Sequence, residues 1–426
     1  MMKTLTATVM APMLMLAAVN ASADITVDTQ LDYEMSGYFN DKAQSSPFQA
    51  DVDQRINNSV SLELEVFSAW DNGDQSITFK PFYRQDEMDD ERNHGDIREL
   101  VWNKLSDNYE LKVGLGKVFW GVTESAHLVD VINQTDSVES IDGEQKLGQP
   151  MVQVLLEREW GNLDLFVLPY FRERTFAGSD ARLSAGLDYA DAIFESSDEE
   201  TNLDVAVRWS HYWEELEYAV SAFHGTSRDP LIGGYFDGVS SAVQPYYPVI
   251  SQIGVEFQLL DEGWAWKFEG IVREGMPEDV YYGIDLSGAR AGLNLDVLDS
   301  DQYFATAAGF EYTQVGIWET RIDLGWVAEH IYDSRQEKAG FGAFEHDVLL
   351  ATRWAANDDA DSTLLAGVVY DYEYQDYSLS LEGNTRLFDG LSLAIEARIF
   401  APSSDNVAQY AFRDEDFVKL TLSYYL

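Results

Sequence analysis

Val60-Ser61-Leu62-Glu63-Leu64-Glu65-Val66 alternates apolar and polar side chains without a break. Successive side chains of an extended chain point to opposite faces, so this stretch reads as a strand with one apolar and one charged face. The same period returns in Leu203, Val205, Val207 and Trp209, in Trp264, Trp266 and Phe268, and in Leu391, Leu393 and Ile395. It also runs through Trp318, Thr320, Ile322, Leu324 and Trp326. About 18 segments of this kind fall near residues 26–35, 58–67, 76–84, 97–104, 109–118, 151–158, 163–171, 202–211, 216–224, 250–259, 264–272, 302–311, 317–327, 346–355, 363–372, 376–386, 390–399 and 417–426. A few of them are ambiguous in phase, notably 97–104 and 163–171.

The connections carry as much information as the strands. Short links rich in turn residues occur at Asp71-Asn72-Gly73, Ser106-Asp107-Asn108, Asp261-Glu262-Gly263, Val315-Gly316 and Asp389-Gly390, among others. Longer acidic links lie between them, at about 36–57, 85–96, 119–150, 172–201, 225–249, 273–301, 328–345 and 400–416, with 373–375 a short exception. Short turns on one side, long loops on the other and an even strand number describe a transmembrane β-barrel. The expected fold is therefore all-β: an antiparallel up-and-down transmembrane barrel of about 18 strands over residues 24–426, with 16 the alternative. A soluble sandwich alternates too, but its turns have no such rhythm. No mature segment holds 18 consecutive apolar residues, so no helical span is expected.

Residues 1–23 read as an export signal. Lys3 is followed by an apolar run from Val9 to Val19 and by Ala21-Ser22-Ala23, a small-x-small cleavage site. That run is too short for a membrane span, which needs about 20 residues. The expected location is the outer membrane of a Gram-negative bacterium, with outer-membrane lipid, lipopolysaccharide and the barrel-assembly machinery as partners. Val418, Leu420, Leu422, Tyr424 and Leu426 alternate to the last residue, like the C-terminal strand that this machinery recognises.

Composition narrows the function. The chain has 28 Lys and Arg against 75 Asp and Glu, a net charge of −47, and no cysteine. A nucleic-acid partner is excluded by that balance, since phosphate binding needs a basic surface. Thiol chemistry is excluded too, and no cofactor is implied. On the strands, the polar face carries Lys80, Arg84, Lys112, Arg208, Arg321, Arg353, Arg386 and Arg398 beside a similar number of carboxylates. A cation facing lipid at the membrane midplane would cost about 2–4 kcal/mol, so these side chains are expected to line the lumen. The excess negative charge then sits in the loops, as in Asp86 to Glu91.

One stretch is more specific. Glu110-Leu-Lys-Val-Gly-Leu-Gly-Lys-Val-Phe-Trp-Gly121, followed by Asp130-Val-Ile-Asn-Gln-Thr-Asp136, resembles a segment of uncharacterised porin-like outer-membrane proteins. In that family a strand ends in Gly-Lys or Gly-Arg and enters a long loop; Gln134 stands where the family usually has Pro. In porins the third long loop often folds into the lumen and forms its constriction. Carried over by position, the resemblance would put Glu124, Asp130, Asp136, Glu139, Asp142 and Glu144 at the narrowest point, opposite basic wall residues. A loop packed on the surface is the competing arrangement.

The expected function is passive diffusion of small polar solutes through a non-enzymatic channel, with homo-oligomerisation left open. A dedicated exporter or lipid- or polymer-delivery barrel is the alternative. An outer-membrane hydrolase ranks below it, because His127 beside Ser125 and Asp130 is the one cluster to consider and no Gly-x-Ser-x-Gly or His-Glu-x-x-His motif occurs. A metal site is not expected, since no loop has the EF-hand pattern.

Overall fold

The computed structural model describes residues 24–41, 54–184, 186, 188–236, 241–277, 282–285, 290–293, 300–335, 344–403, 410 and 412–426. The export signal read at 1–23 lies outside the described residues. Eighteen strands form one antiparallel sheet. In chain order they are β1 (Asp24–Tyr38), β2 (Ile56–Trp70), β3 (Gln75–Asp86), β4 (Gly95–Ser106), β5 (Tyr109–Gly116), β6 (Gln149–Arg158), β7 (Gly161–Leu168), β8 (Asp204–Trp213) and β9 (Leu216–Thr226). They continue with β10 (Val249–Asp261), β11 (Trp264–Pro277), β12 (Ser300–Gln314), β13 (Asp323–Asp333), β14 (His346–Ala355), β15 (Thr363–Asp371), β16 (Tyr377–Phe388), β17 (Leu391–Ala401) and β18 (Phe417–Tyr425). Each pairs with its neighbours in sequence, and β1 pairs with β18, as in Tyr33 opposite Leu422, so the sheet closes. Closure satisfies the edge N–H and C=O groups that an open sheet would expose.

Side chains sort by face as the period requires. Along β10, Ile253, Val255, Phe257 and Leu259 are exposed outward, while Gln252 and Glu256 are buried inside. The long-link end also carries a second, six-stranded sheet built from short strands such as Leu231–Phe236 and Ser241–Tyr247. Aromatic rings cluster outside near both ends of the barrel. Trp264 stacks on Trp266 and Tyr312 near the short turns, and Phe304 packs on Tyr332 toward the long links.

Two local departures from the sequence reading have physical causes. Residues 317–327 do not form one strand: Ile317–Glu319 is a turn of 3-10 helix entered through Gly316 at φ 63°, and β13 begins at Asp323. Ile317 is buried in that turn and its N–H bonds to Ile322 O at 2.8 Å, so the turn is longer than Val315-Gly316. Arg321 consequently sits exposed in the turn, not on a lumen strand. The second departure is a register shift where Lys80 pairs with Glu99 but Pro81 pairs with Ile97. Pro81 has no N–H for the ladder, and the bulge leaves Arg98 as the extra residue. Ile97 and Leu100 therefore face outward, while Arg98 and Glu99 both turn inward. That bulge is why 97–104 has no simple phase.

Adjacent strands also set a limit on side-chain size. A Cβ on Gly309 of β12 would lie 2.2 Å from Ala328 O on β13. The expected outcome of Gly309→Ala is a loss of about 1–3 kcal/mol, from the overpacking it forces. It would be read as a lower urea midpoint for the protein refolded in lipid or detergent.

Candidate functional site

The third long link, residues 117–148, is the site's main element. It leaves β5 at Gly116 and is clamped at its base by Asn133, whose amide donates to Gly116 O (2.9 Å) and Leu147 O (2.8 Å). The same side chain accepts from Val118 N–H at 2.8 Å. Beyond this clamp the loop reaches two carboxylates on distant strands. Glu269 on β11 accepts from Val122 N–H (2.7 Å), Thr123 N–H (2.9 Å), the Thr123 hydroxyl (2.6 Å) and Val129 N–H (3.2 Å). Glu329 on β13 accepts from Glu124 N–H (2.7 Å), Ser125 N–H (2.8 Å) and the Ser125 hydroxyl (2.6 Å). Both carboxylates are buried, and hydrogen bonds to a buried charge are among the stronger ones. Gly121, at φ 130°, makes the approach feasible, because a Cβ there would lie 2.8 Å from Glu269 Oε1.

The opposite flank is tied to the other side of the barrel. Arg98 on β4 donates to Asp136 at 2.6 Å, and Arg84 on β3 holds Glu139 at 3.0 Å. Strands β4 and β13 stand nine places apart in a ring of 18, so they face each other across the lumen. A single loop bonded to both must cross the interior. One side of the crossing is packed dry: Trp120, Val129, Val131 and Ile132 bury against Met151, Phe166, Leu168, Phe223, Ile250 and Ile271 of the wall. Phe166 and Leu168 thus make the long-link half of β7's inner face apolar, with Asp164 nearer the short turn, which blurs the alternation in 163–171. The inner wall is therefore not evenly polar, contrary to the sequence reading.

The other side remains polar. Arg398 on β17 meets Asp142 of the loop at 2.9 Å, Glu382 at 2.9 Å and Glu396 at 3.1 Å, and Lys419 meets Glu396 at 2.5 Å. Arg353 on β14 pairs with Glu124 of the loop at 2.6 Å. Lys80 bridges Glu65 (2.9 Å) and Glu99 (3.7 Å), Lys112 pairs with Glu110 at 3.2 Å, and Arg208 pairs with Glu256. Arg386 bonds to Asp361 at the short-turn end. A cavity lies between the loop's 137–141 stretch and the wall, lined by Glu34, Arg92, Glu139, Glu396 and Lys419.

Six loop carboxylates were expected at the narrowest point, and they divide into two groups. Asp130, Asp136 and Glu139 are enclosed, with Asp136 fully buried between Arg98 and the Thr175 hydroxyl (2.6 Å). Glu124, Asp142 and Glu144 keep contact with solvent in the lumen. The Ser125 hydroxyl donates its hydrogen bond to Glu329 and His127 pairs with Glu144 at 3.3 Å, so these two do not form a nucleophile–base pair. Burial lowers the His127 pKa, but the Glu144 carboxylate outweighs it and raises the value overall; the bond from His127 holds Glu144 below its ordinary range. Burial pushes Asp130 up to about 6, against the attraction of Lys146 and His127. Arg98, Asn133 and Glu329 carry roles that the sequence reading missed.

No protein-family model matches the chain, and no curated protein is similar to it in sequence. Among solved structures, a BenF-like porin from Pseudomonas fluorescens Pf-5 superposes with a TM-score of 0.51 at 10% identity, over 95% of this chain and 99% of that one. OccK8 (OprE) of Pseudomonas aeruginosa gives 0.50 at 12% identity, over 95% and 98% of the two chains. OccK5 (OpdH) of the same organism gives 0.50 at 10% identity over the same shares. The likeness is one of fold: this chain has the closed antiparallel barrel architecture of these porins.

Two outcomes follow for the loop. Glu269→Gln replaces a charged acceptor by a neutral one that must also place two N–H donors, and is expected to cost about 2 kcal/mol. Limited proteolysis should cut within 117–148 faster than in wild type, with Glu65→Gln as the unaffected control. Asp130 behaves oppositely. Its folded pKa lies above the ordinary 3.8, so the charged form disfavours the packed loop at neutral pH, and that penalty fades as pH falls through about 6 toward 4. Asp130→Asn should melt above wild type at pH 7.5, with the difference shrinking by pH 4.5.

Proposed function

We propose that the chain is a porin-like channel of the Gram-negative outer membrane that passes small polar solutes by diffusion. The observation that carries this reading is the loop at 117–148 crossing the lumen between β4 and β13 while leaving a charged wall on the β14–β18 side. A loop so anchored narrows the passage without filling it with apolar side chains. The outward apolar face with aromatic rings near both ends fits a hydrocarbon slab bounded by two interfaces. The long links then face the exterior and the short turns face the periplasm.

The constriction we assign is formed by Glu124, Asp142 and Glu144 on the loop and by Arg353 and Arg398 on the wall. Opposite charges across a narrow gap set up a transverse field that orients dipolar solutes and holds no solute tightly. Asp136 and Glu139 act one step back, by fixing the loop through Arg98 and Arg84. With a net charge of −47, an acidic surface around the mouth would concentrate cations within about 8–10 Å. We assign residues 1–23 to a cleaved signal, so that the mature protein begins at Asp24 and is delivered to the barrel-assembly machinery.

Planar-bilayer recordings under a salt gradient test the reading. Wild type should show stepwise conductance and a cation-favouring reversal potential. Glu144→Gln should lower the cation-to-anion ratio about five-fold, since one unit charge at ~8 Å in water favours a cation by about 0.5 kcal/mol and disfavours an anion by as much. Arg398→Gln should raise it by a similar factor. A protein that inserts but carries no current would overturn the proposal.

A further inference from the structure

At the long-link end, three carboxylates converge on the inner wall between β14 and β15. Asp347 and Asp371 face each other directly across the strand pair, and Glu345 enters the same space from just before β14. One oxygen from each of the three lies within 4.8 Å of the others. Like charges opposed in a sheet are destabilising, and this pair is also shielded from water: Asp347 is 4% and Asp371 7% exposed.

Neutralising partners are missing where they are needed. Asp347 Oδ2 is buried and accepts no hydrogen bond, and the same holds for Oδ1 of the neighbouring Asp376, which is 2% exposed. Among the described residues no Lys, Arg or His side chain pairs with Glu345, Asp347, Asp371 or Asp376; Arg335 is taken by Asp333 at 2.7 Å. Elsewhere in this lumen, buried carboxylates such as Glu269, Glu329 and Asp136 are each met by several N–H donors or a guanidinium. Asp371 is also held in place, because its Oδ1 accepts from the N–H groups of Glu373 (2.6 Å) and Tyr374 (3.0 Å). Two opposed buried acids with a third beside them, and no cationic side chain against them among the described residues, are costly unless a cation sits among them.

We propose that Glu345, Asp347 and Asp371 form a divalent-cation site, matched to Ca2+, that fastens the tops of β14 and β15 at the channel mouth. Calcium takes six to eight oxygens at about 2.3–2.6 Å, so oxygens on opposite sides of the ion stand about 4.6–5.2 Å apart, a spacing these three reach. Burial of Asp347 and Asp371 leaves little room for the several waters that Mg2+ keeps, which favours the larger ion. Asp376 lies close enough to repel both Asp347 and Asp371, and it adds negative charge beside the ligands.

The test uses the full mature barrel refolded in detergent, stripped with EDTA and titrated calorimetrically with calcium chloride in physiological sodium chloride. Wild type should take up one tightly held Ca2+ per barrel, bind Mg2+ more weakly, and melt at a higher temperature with Ca2+ than with EDTA. Asp347→Asn and Asp371→Asn should each weaken that binding by at least about ten-fold and abolish the thermal shift. In EDTA both variants should melt no lower than wild type, since one of two opposed charges is gone; this shows that they fold. The double variant Asp90→Asn/Glu91→Gln, in an exposed acidic link, should bind like wild type. Equal Ca2+ binding by wild type and Asp347→Asn, or an equal loss in the Asp90/Glu91 control, would mean diffuse counter-ion attraction and would overturn the proposal.

Discussion

Seven hydrogen bonds to two buried carboxylates, Glu269 and Glu329, hold the shape of the lumen. A chain segment inside a barrel has no sheet ladder to satisfy its amides, and water reaches few of them here. Carboxylates solve this economically, because each oxygen can accept more than one N–H. Five of the seven donors are main-chain groups, so the loop is positioned by its backbone and its side chains stay free for other contacts. The charge on each glutamate is in turn tolerated because the donors surround it.

This arrangement divides the interior into two unlike halves. Against β6 to β12 the loop buries Trp120, Val129, Val131 and Ile132 in one apolar cluster with the wall. Facing β14 to β18 it presents Glu124 and Asp142 to arginines. A segment bonded on both sides and packed on one is restrained in every direction. On its open side the loop faces wall side chains that include Arg353 and Arg398.

Much of the fold was legible in the sequence because a barrel strand has one lipid-side and one water-side face, and a two-residue period records that difference. All 18 segments correspond to strands in the sheet. The reading failed where the inner face is not water-side. At β7, Phe166 and Leu168 lie under the loop, so both faces are apolar in its second half. At β4, the bulge at Pro81 turns Arg98 and Glu99 to the same side. At 317–322, an apolar Ile317 buried in a turn mimics strand periodicity and shifts β13 toward its C-terminal end. Glu329 was hidden by that shift, since it fell in what read as a loop. The site was only half legible for a related reason. Asp130, Asn133 and Asp136 stand out as a motif, but a motif gives no sign whether a carboxylate meets solvent or an arginine.

The bonds from the loop to Glu269 span about 140–147 positions of chain, and those to Glu329 span 204–205. Contacts of such sequence separation form late, because the loop-closure entropy comes before any reward. While the second half of the barrel is being laid down, the first half carries Trp120, Val129 and Phe166 without Phe223, Ile250 and Ile271 to close over them, and with seven unmet donors. Such an intermediate is sticky, which makes a holding chaperone more valuable to this chain than to a barrel with an empty interior. Docking of the loop and closure of the ring thus become a single cooperative event, and the width of the barrel's interior is defined only at the last step of its folding.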